Sequence, residues 1–289
     1  MSVSIPQSFV DQFSANVHML AEQRMSRLRN TVLTEDVQAE SVARERVGKT
    51  QDTANEINER HGDTPLNNTP HTRRWAFMKD FDVADLIDRN DKVKALIDPQ
   101  SIYTVRHAGV MGRTVDDEII NAALGTAKEG KNGDTDVALP ASQKIADGST
   151  NLTVAKLIEA KEKFDAAEVD EFIPRFMIVN SAGISSLLGD TSVTSADFNT
   201  VKALVRGEIN EFMGFTFIRS ERLPVASNIR SGIAMAQQGI LLGFASQPQS
   251  TANERPDKRN AQQIYTWGSW GSVRVEDEMV VQVDYDETA

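Results

Sequence analysis

The chain offers few side chains whose type and spacing could support catalysis or metal binding. Its four histidines, His18, His61, His71 and His107, do not have the spacing of metal ligands and have no acidic motif beside them. There is no cysteine, which excludes disulfides and thiolate chemistry. No serine nucleophile elbow, Walker loop or dinucleotide-binding glycine turn occurs. We therefore predict no catalytic, cofactor or metal site and expect that the protein is not an enzyme.

Acidic and glycine-rich patterns also favour structural interpretations. Asp82, Asp85, Asp88 and Asp91 recur at intervals of three, but Lys92 disrupts a calcium-loop pattern, so a solvated helical face is predicted. The acids at 116–118 are neighbours on a predicted helix and should point in different directions. The glycine-rich segment 130–134 lacks the strand and helix of a phosphate loop and is predicted to be a flexible loop.

Composition is that of a folded, strongly acidic protein. The chain has 289 residues, of which 40% are hydrophobic and 25% charged, and its formal net charge is −11. Such a charge argues against a dedicated nucleic-acid binder, which needs clustered Lys and Arg. We expect neither a secretory signal nor a membrane span, because the N-terminus lacks a basic, then apolar, pattern and no long apolar window occurs.

Residues 37–74 form an unusual polar segment between two well-patterned regions. The segment has no Phe, Tyr or Trp, and it cannot bury enough apolar area on itself to offset the entropy of ordering. It must be disordered or order against something else, most plausibly another copy of the chain. Arg73 and Arg74, at its end, are either a solvated pair or partners in an intersubunit ion pair.

Helical periodicity predicts the first long elements. Residues 8–29 form an amphipathic pattern with Ser8 as the N-cap. A second, longer helix begins at Pro99 and ends before Gly125, with an inward face that includes Val105, Ala108 and Val115. Gly109 and Gly112 weaken this helix, which suits a close approach by another backbone.

The rest of the chain alternates between helices and strands, which predicts a mixed α/β region. Helices are expected at 153–169, from Ser181 to Gly189 and at 196–210. In the first of these, Leu157, Ile158, Ala160 and Phe164 point inward, whereas Lys156 points outward. The alternation of Trp75, Phe77, Phe81 and Val83 with smaller or polar residues predicts a strand at 75–83 whose aromatic face is covered. Strands are also expected at 176–179 and 212–218, a strand or helix at 233–244, and two alternating strands at 273–285. The last strand should pair with an earlier strand of the same subunit.

Taken in order, these elements resemble the major capsid proteins of tailed bacteriophages with the Hong Kong 97-type fold, particularly the coat proteins of short-tailed phages. The resemblance is carried by four stretches that span nearly the whole chain: TRRWAFMKDFDVADLIDRND, HAGVMGRTVDDEIINAALG in the long helix after DPQSIY, FIPRFMIVNSAGISSLL and WGSVRVEDEMVVQVDYDE.

The resemblance implies an α+β fold with five parts. These are an N-terminal arm (1–36), an extended hairpin loop over a neighbouring subunit (37–81), a peripheral domain with a spine helix (82–152), an axial α/β domain (153–264) and return strands of the peripheral domain (265–289). Candidate intersubunit contacts are Arg73, Arg74, Trp75, Gly109 and Gly112.

The function implied is a virion structural protein that self-assembles into the hexamers and pentamers of an icosahedral shell. Implied partners are further copies of the chain, a separate scaffolding protein, a portal, a decoration protein, and packaged double-stranded DNA without specific recognition. Assembly would take place in the host bacterial cytoplasm.

Two alternatives stay open at the level of sequence. An encapsulin-type nanocompartment shell would show similar elements while enclosing an enzyme. A soluble α/β enzyme with a mobile lid at 37–74 is less favoured, because no nucleophile, base and oxyanion donor can be named for it.

Overall fold

Three helices and three β-sheets make up the part of the chain that the structure describes. This computed structural model describes residues 23, 25–48, 54, 56, 68–88, 99–189 and 211–288. The helices are α1 (Pro99–Leu124), α2 (Val154–Ala166) and α3 (Ser181–Gly189). The predicted helix at 196–210 and most of the one at 8–29 lie outside the described residues.

The described strands belong to three sheets. In chain order they are β1 (Leu33–Asp36), β2 (Ser41–Val47), β3 (His71–Phe77), β4 (Lys79–Ile87), β5 (Ala127–Glu129), β6 (Thr135–Val137), β7 (Lys144–Ile145), β8 (Arg175–Val179), β9 (Glu211–Phe212), β10 (Phe215–Arg219), β11 (Val225–Ala226), β12 (Ile229–Ala236), β13 (Ile240–Arg255), β14 (Ala261–Arg274) and β15 (Val280–Asp286). The sheet orders are β1-β13-β14-β4, β7-β15-β12-β8-β10-β9 with β11 beside β12, and β2-β3-β5-β6.

Helix α1 has the predicted start, length and end. It runs for 26 residues from Pro99, and Gly125 ends it by donating its N–H to the Asn121 carbonyl at 2.8 Å. Its inward face differs from the prediction near its start. Val105 and Ala108 are exposed, because the helix is turned so that His107 and Met111 are buried against the sheets.

The central sheet is covered by a helix on each face. Met177, Val179 and Val283 pack in one core cluster with α2, and the alternate residues Ile178 and Ile233 pack in a second cluster with α1. Strand β15 pairs antiparallel with β12 and parallel with β7. The prediction that the terminal strand pairs within its own subunit is therefore confirmed.

Helix α2 corrects two side-chain predictions. Leu157, Ala160 and Phe164 are fully buried as expected, but Ile158 is half exposed. Lys156 is buried rather than solvated, and its ammonium group donates to the carbonyls of Asp147, Thr150 and Asp284 at 2.7 to 3.1 Å. Burial lowers the pKa of Lys156, while neighbouring carboxylates oppose that shift.

Several predicted strands are divided in the structure. The strand predicted at 212–218 is a tight hairpin, β9 and β10, turned by Met213 and Gly214 with φ of 55° and 82°. The segment at 233–244 is the end of β12 and the start of β13. The segment at 75–83 splits at Met78 into β3 and β4, which belong to different sheets.

Two predictions about the segment around Met78 are wrong. Trp75 and Phe77 do not face the interior; Arg74 and Ala76 on the opposite parity do. Asp82 and Asp85 lie on the strand β4 rather than on a helical face, because β4 pairs along nine residues of β14. Asp88 follows directly after β4 and is exposed, and Asp91 lies outside the described residues.

Two of the predicted domain boundaries fall inside strands. The boundary at 81/82 falls inside β4. The boundary at 264/265 falls inside the continuous strand β14. Of the predicted return strands, β14 joins the sheet with β4 and β13, whereas β15 joins the central sheet beside β12. The five-part division itself stays a prediction.

A pair of glycines lets the chain cross from one sheet to another. Gly243 and Gly271 are direct cross-strand partners in β13 and β14. A Cβ atom on Gly271 would lie 2.0 Å from the Phe77 carbonyl oxygen, and one on Gly243 would lie 2.9 Å from the Met78 side chain. The link between β3 and β4 therefore rests directly on backbone, and we call Gly243 and Gly271 the glycine saddle.

Replacing Gly271 with Ala should destabilise the protein by about 1–3 kcal/mol or more, because backbone has to move to admit the methyl group. Gly232→Ala is the matched control, since its nearest atom would be 3.2 Å away. Urea unfolding of both variants measures the free energies. Equal losses in the two variants would contradict the proposed crowding at the saddle.

Tyr285 ties the last strand to the start of α3. Its hydroxyl donates to Asn180 Oδ1 at 2.8 Å and accepts the Asn180 backbone N–H at 3.3 Å. Asn180 Oδ1 also accepts the N–H of Gly183 at 2.8 Å, which caps the helix. Burial raises the pKa of Tyr285 from 10.0 to about 12.

This shift makes stability fall at alkaline pH. Above pH 10 the unfolded chain loses the Tyr285 proton while the folded chain keeps it, so stability declines until pH passes about 12. The loss should be roughly 2–3 kcal/mol. Urea unfolding at a series of alkaline pH values measures it, with Tyr285→Phe as the comparison. An unchanged slope in that variant would rule out Tyr285 as the source.

Candidate functional site: the β2–β3 hairpin and the arm

Strands β2 and β3 form an antiparallel hairpin whose two faces differ. Val42 pairs with Ala76 and Arg44 with Arg74, and these pairs share the face that turns toward the body of the subunit. Strand β5 pairs with β3 at Arg74 and Trp75, so one side of the hairpin is attached to the body. The structure thus contains both strands of the predicted extended loop.

Arg74 is the buried anchor of this hairpin. Its side chain is 1% exposed and forms ion pairs with Glu129 on β5 at 2.6 Å and with Asp277, just before β15, at 2.8 Å. Its Nη1 atom has no hydrogen-bond partner among the residues that the structure describes. The expectation that Arg74 contacts another subunit is corrected to an intrachain role, because the guanidinium is enclosed by its own chain.

Arg274 shares the same carboxylate and holds the end of α1. It is fully buried, pairs with Asp277 at 2.6 Å, and donates to the carbonyls of Ala123 at 3.1 Å and Gly125 at 2.7 Å. These carbonyls are left free at the helix end and carry partial negative charge. Burial lowers the pKa of Arg274, and the bond to Asp277 counteracts this effect. We call Arg74, Glu129, Arg274 and Asp277 the arginine cluster.

The opposite face of the hairpin is partly open to solvent. The Arg73 guanidinium pairs with Glu45 and lies 5.7 Å from the Trp75 ring, which in turn stacks on Phe77 at 6.4 Å. Phe77 is 44% exposed, and Val47 on the same face is 66% exposed. The turn between β5 and β6 covers part of this face: Trp75 Nε1 donates to the Gly130 carbonyl at 2.8 Å, and a Cβ atom on Gly133 would lie 3.0 Å from the Phe77 ring. Val47 and much of Phe77 stay exposed.

A second anchor holds the arm that precedes β1. Asp116 is fully buried on α1 and accepts hydrogen bonds from the Ser26 hydroxyl at 2.6 Å and from the backbone N–H groups of Arg27 and Leu28 at 3.0 to 3.2 Å. Residues 25–28 are therefore not helical, which corrects the end of the predicted first helix. A 3-10 turn follows at Arg29–Thr31.

Gly112 provides the space for this arm. A Cβ atom there would lie 2.6 Å from the Ser26 nitrogen and 2.9 Å from the Met25 carbonyl carbon. The predicted close approach of a backbone is confirmed for Gly112, but the backbone belongs to the same chain. Gly109 is buried on the same helix.

The three adjacent acids of α1 go to three different elements, as the helical geometry predicted. Asp116 binds the arm, Asp117 pairs with Arg222, and Glu118 pairs with Lys79 on β4 at 2.9 Å. The roles of Asp116 and Asp277 were not predicted. The signal available in the sequence was that both acids precede or interrupt apolar runs. Their partners lie far away in sequence.

The histidines and acids of the described residues do not gather into a metal site. No group of three His, Asp or Glu side chains that could hold a metal ion occurs among them. His107 is buried and hydrogen-bonds to Asp85 at 2.9 Å and Thr266 at 3.3 Å, which joins α1 to β4 and β14. This acidic partner was missed from the sequence. None of the helices in the described ranges is long and apolar enough to cross a membrane.

Comparison with solved structures identifies the fold. The chain resembles the capsid protein of cyanophage P-SCSP1u (TM-score 0.73, 16% identity, 96% of this chain and 93% of that one). It also resembles the capsid protein of Ralstonia phage GP4 (TM-score 0.74, 9% identity, 99% and 97%) and that of a native GTA particle (TM-score 0.70, 12% identity, 99% and 99%). The predicted Hong Kong 97-type fold is therefore confirmed.

The chain belongs to the phage capsid protein family, whose model matches residues 5–287. It is accordingly a major capsid protein, a structural component of the virion that associates with itself into an icosahedral shell. No curated protein matches the chain.

Replacing Asp277 with Asn should cost about 3–5 kcal/mol, because two buried arginines lose the carboxylate they share. Glu45→Gln on β2 is the matched control: it removes the acid of an exposed arginine pair on the same hairpin and should cost less than about 1 kcal/mol. Urea unfolding compares the two. Similar losses in the free energy of unfolding would show that the arginine cluster stabilises the protein no more than an exposed ion pair does.

Proposed function

We infer that this capsid protein builds its shell from hexamers and pentamers in which each β2–β3 hairpin lies over a neighbouring copy. The observation that carries the inference is the partly open face of the hairpin. Val47 and Phe77 expose large apolar surface beside half-buried Trp75, and such surface on a folded subunit marks a contact site. The hairpin's other face is fixed to its own body by the arginine cluster.

Among the candidate intersubunit contacts predicted from the sequence, Arg73 and Trp75 stay proposed contacts. Arg73 has a partly exposed guanidinium, and Trp75 lies between it and exposed Phe77. Gly112 accommodates the arm of its own chain instead, whereas Gly109 stays a predicted contact. A contact of this type combines an aromatic anchor with a charge at its rim, as protein interfaces commonly do.

The shell encloses double-stranded DNA that it does not recognise specifically. The net charge of −11 would repel a polyanion from much of the wall and keep the packaged DNA mobile. A separate scaffolding protein, a portal and a decoration protein complete the proposed set of partners, and assembly takes place in the host bacterial cytoplasm.

Electron microscopy of the protein produced with and without its scaffolding protein tests this function. Closed, uniform shells with five-fold and six-fold clusters are expected. In Val47→Asp the subunit should fold normally, while shell yield falls at least about tenfold, since a desolvated charge disfavours the contact. A stable monomer under every condition would contradict the assembly. Shells filled with an enzyme rather than DNA would favour a nanocompartment.

A further inference from the structure

A groove of about 620 Å³ lies at the root of the β2–β3 hairpin. Phe77, Met78 and Ala245 contribute apolar surface to it, and the exposed acids Glu40 and Asp80 contribute negative charge. Neither acid has an ion-pair partner among the residues that the structure describes. The groove therefore suits an occupant with two positive charges and some apolar surface.

The tip of the β13–β14 hairpin, residues 256–260, has this character. All five residues are exposed, and Pro256 is followed by Asp257, Lys258 and Arg259. Arg255 neutralises Asp257: their side chains are bonded at 2.8 Å, and the pKa of Asp257 is lowered to about 2. Lys258 and Arg259 are left as two positive charges without an ion-pair partner in the described ranges.

The tip of one chain cannot reach the groove of that chain. Both belong to the same long hairpin: the groove lies near the pair Ser246 and Ser269, and the last pair before the tip is Arg255 with Ala261. Nine residues of extended strand span about 30 Å. An occupant from this sequence must therefore come from a second copy.

We propose that residues 256–260 of one subunit dock in the root groove of a neighbouring subunit, with Lys258 and Arg259 facing Glu40 and Asp80. Pro256 and the aliphatic stem of Lys258 cover Phe77 and Met78. This proposal rests on the assembly inferred above and names one of its contacts.

The geometry makes the contact head-to-tail. Each subunit presents a tip at one end of the β13–β14 hairpin and a groove at the other end. Contacts between unlike surfaces repeat from copy to copy and close into rings when the rotation per subunit allows it. The same pair of surfaces can thus serve five or six subunits.

Charge reversal tests the contact. Lys258→Glu with Arg259→Glu, or Glu40→Lys with Asp80→Lys, should each reduce the yield of shells at least about tenfold, because like charges then face each other. The fourfold variant should recover most of the wild-type yield. Lys144→Glu with Lys161→Glu, on exposed positions of β7 and α2, is the control with the same change in net charge as the variant at Lys258 and Arg259.

The outcomes separate this contact from assembly in general. If the wild type and both charge-reversed variants all form normal shells, the contact alone is overturned. The contact is also overturned if the fourfold variant does not recover the yield of shells. A control variant that fails equally would attribute the effect to net charge and overturn it too. A wild-type chain that never assembles contradicts the shell and the contact together.

Engineered cysteines give a second, direct measurement. The natural chain has no cysteine, so Ala39→Cys with Pro256→Cys places the only thiols at groove and tip. Within one subunit they are far beyond the Cα separation of about 7 Å that a disulfide bridges. Oxidised shells should therefore run on a non-reducing gel as multiples of the chain. The control pair Ala39→Cys with Lys161→Cys should give only monomers. If the groove and tip pair also gives only monomers, the proposal is overturned.

Discussion

Two arginines buried in this subunit depend on one carboxylate, Asp277, and the arrangement of several elements follows from that dependence. A buried guanidinium must find both charge and hydrogen-bond acceptors, since each unpaired ion costs several kcal/mol. Arg274 satisfies part of this need with the free carbonyls at the end of α1, and Arg74 satisfies part with Glu129. Asp277 completes both, so the hairpin, the end of the long helix and the turn before β15 are fixed relative to one another.

The arm has an independent anchor of the same kind on α1. Asp116 is buried with its oxygens directed at backbone N–H groups, and Gly112 removes the side chain that would keep this backbone away. One helix therefore organises two extended segments that have little apolar surface of their own. Polar bonds of defined geometry position these segments, while the apolar clusters around α1 and α2 provide the bulk of the core.

Sequence reasoning succeeded where the determining interactions are local. Pro99 and Gly125 bound α1 because proline and glycine act within one turn of the helix. It failed where the partner is distant. Arg74 looked like a surface charge because its partner Asp277 is 203 residues away. The split at Met78 was missed because alternation continues across it; only the glycine saddle, far along the chain, shows that the two strands enter different sheets.

The glycine saddle also has a mechanical consequence. The hairpin root contacts Gly271 through the Phe77 backbone and Gly243 through the Met78 side chain, while the arginine cluster holds the hairpin on the other side. The hairpin can therefore tilt about its contact with the glycine saddle, while the arginine cluster restrains it. Strand β2 runs seven residues, or about 23 Å, so a tilt of about 10° at the saddle would displace its far end by roughly 4 Å. Small rotations at one glycine pair would thus move the far end of the hairpin by several ångströms relative to the body of the subunit.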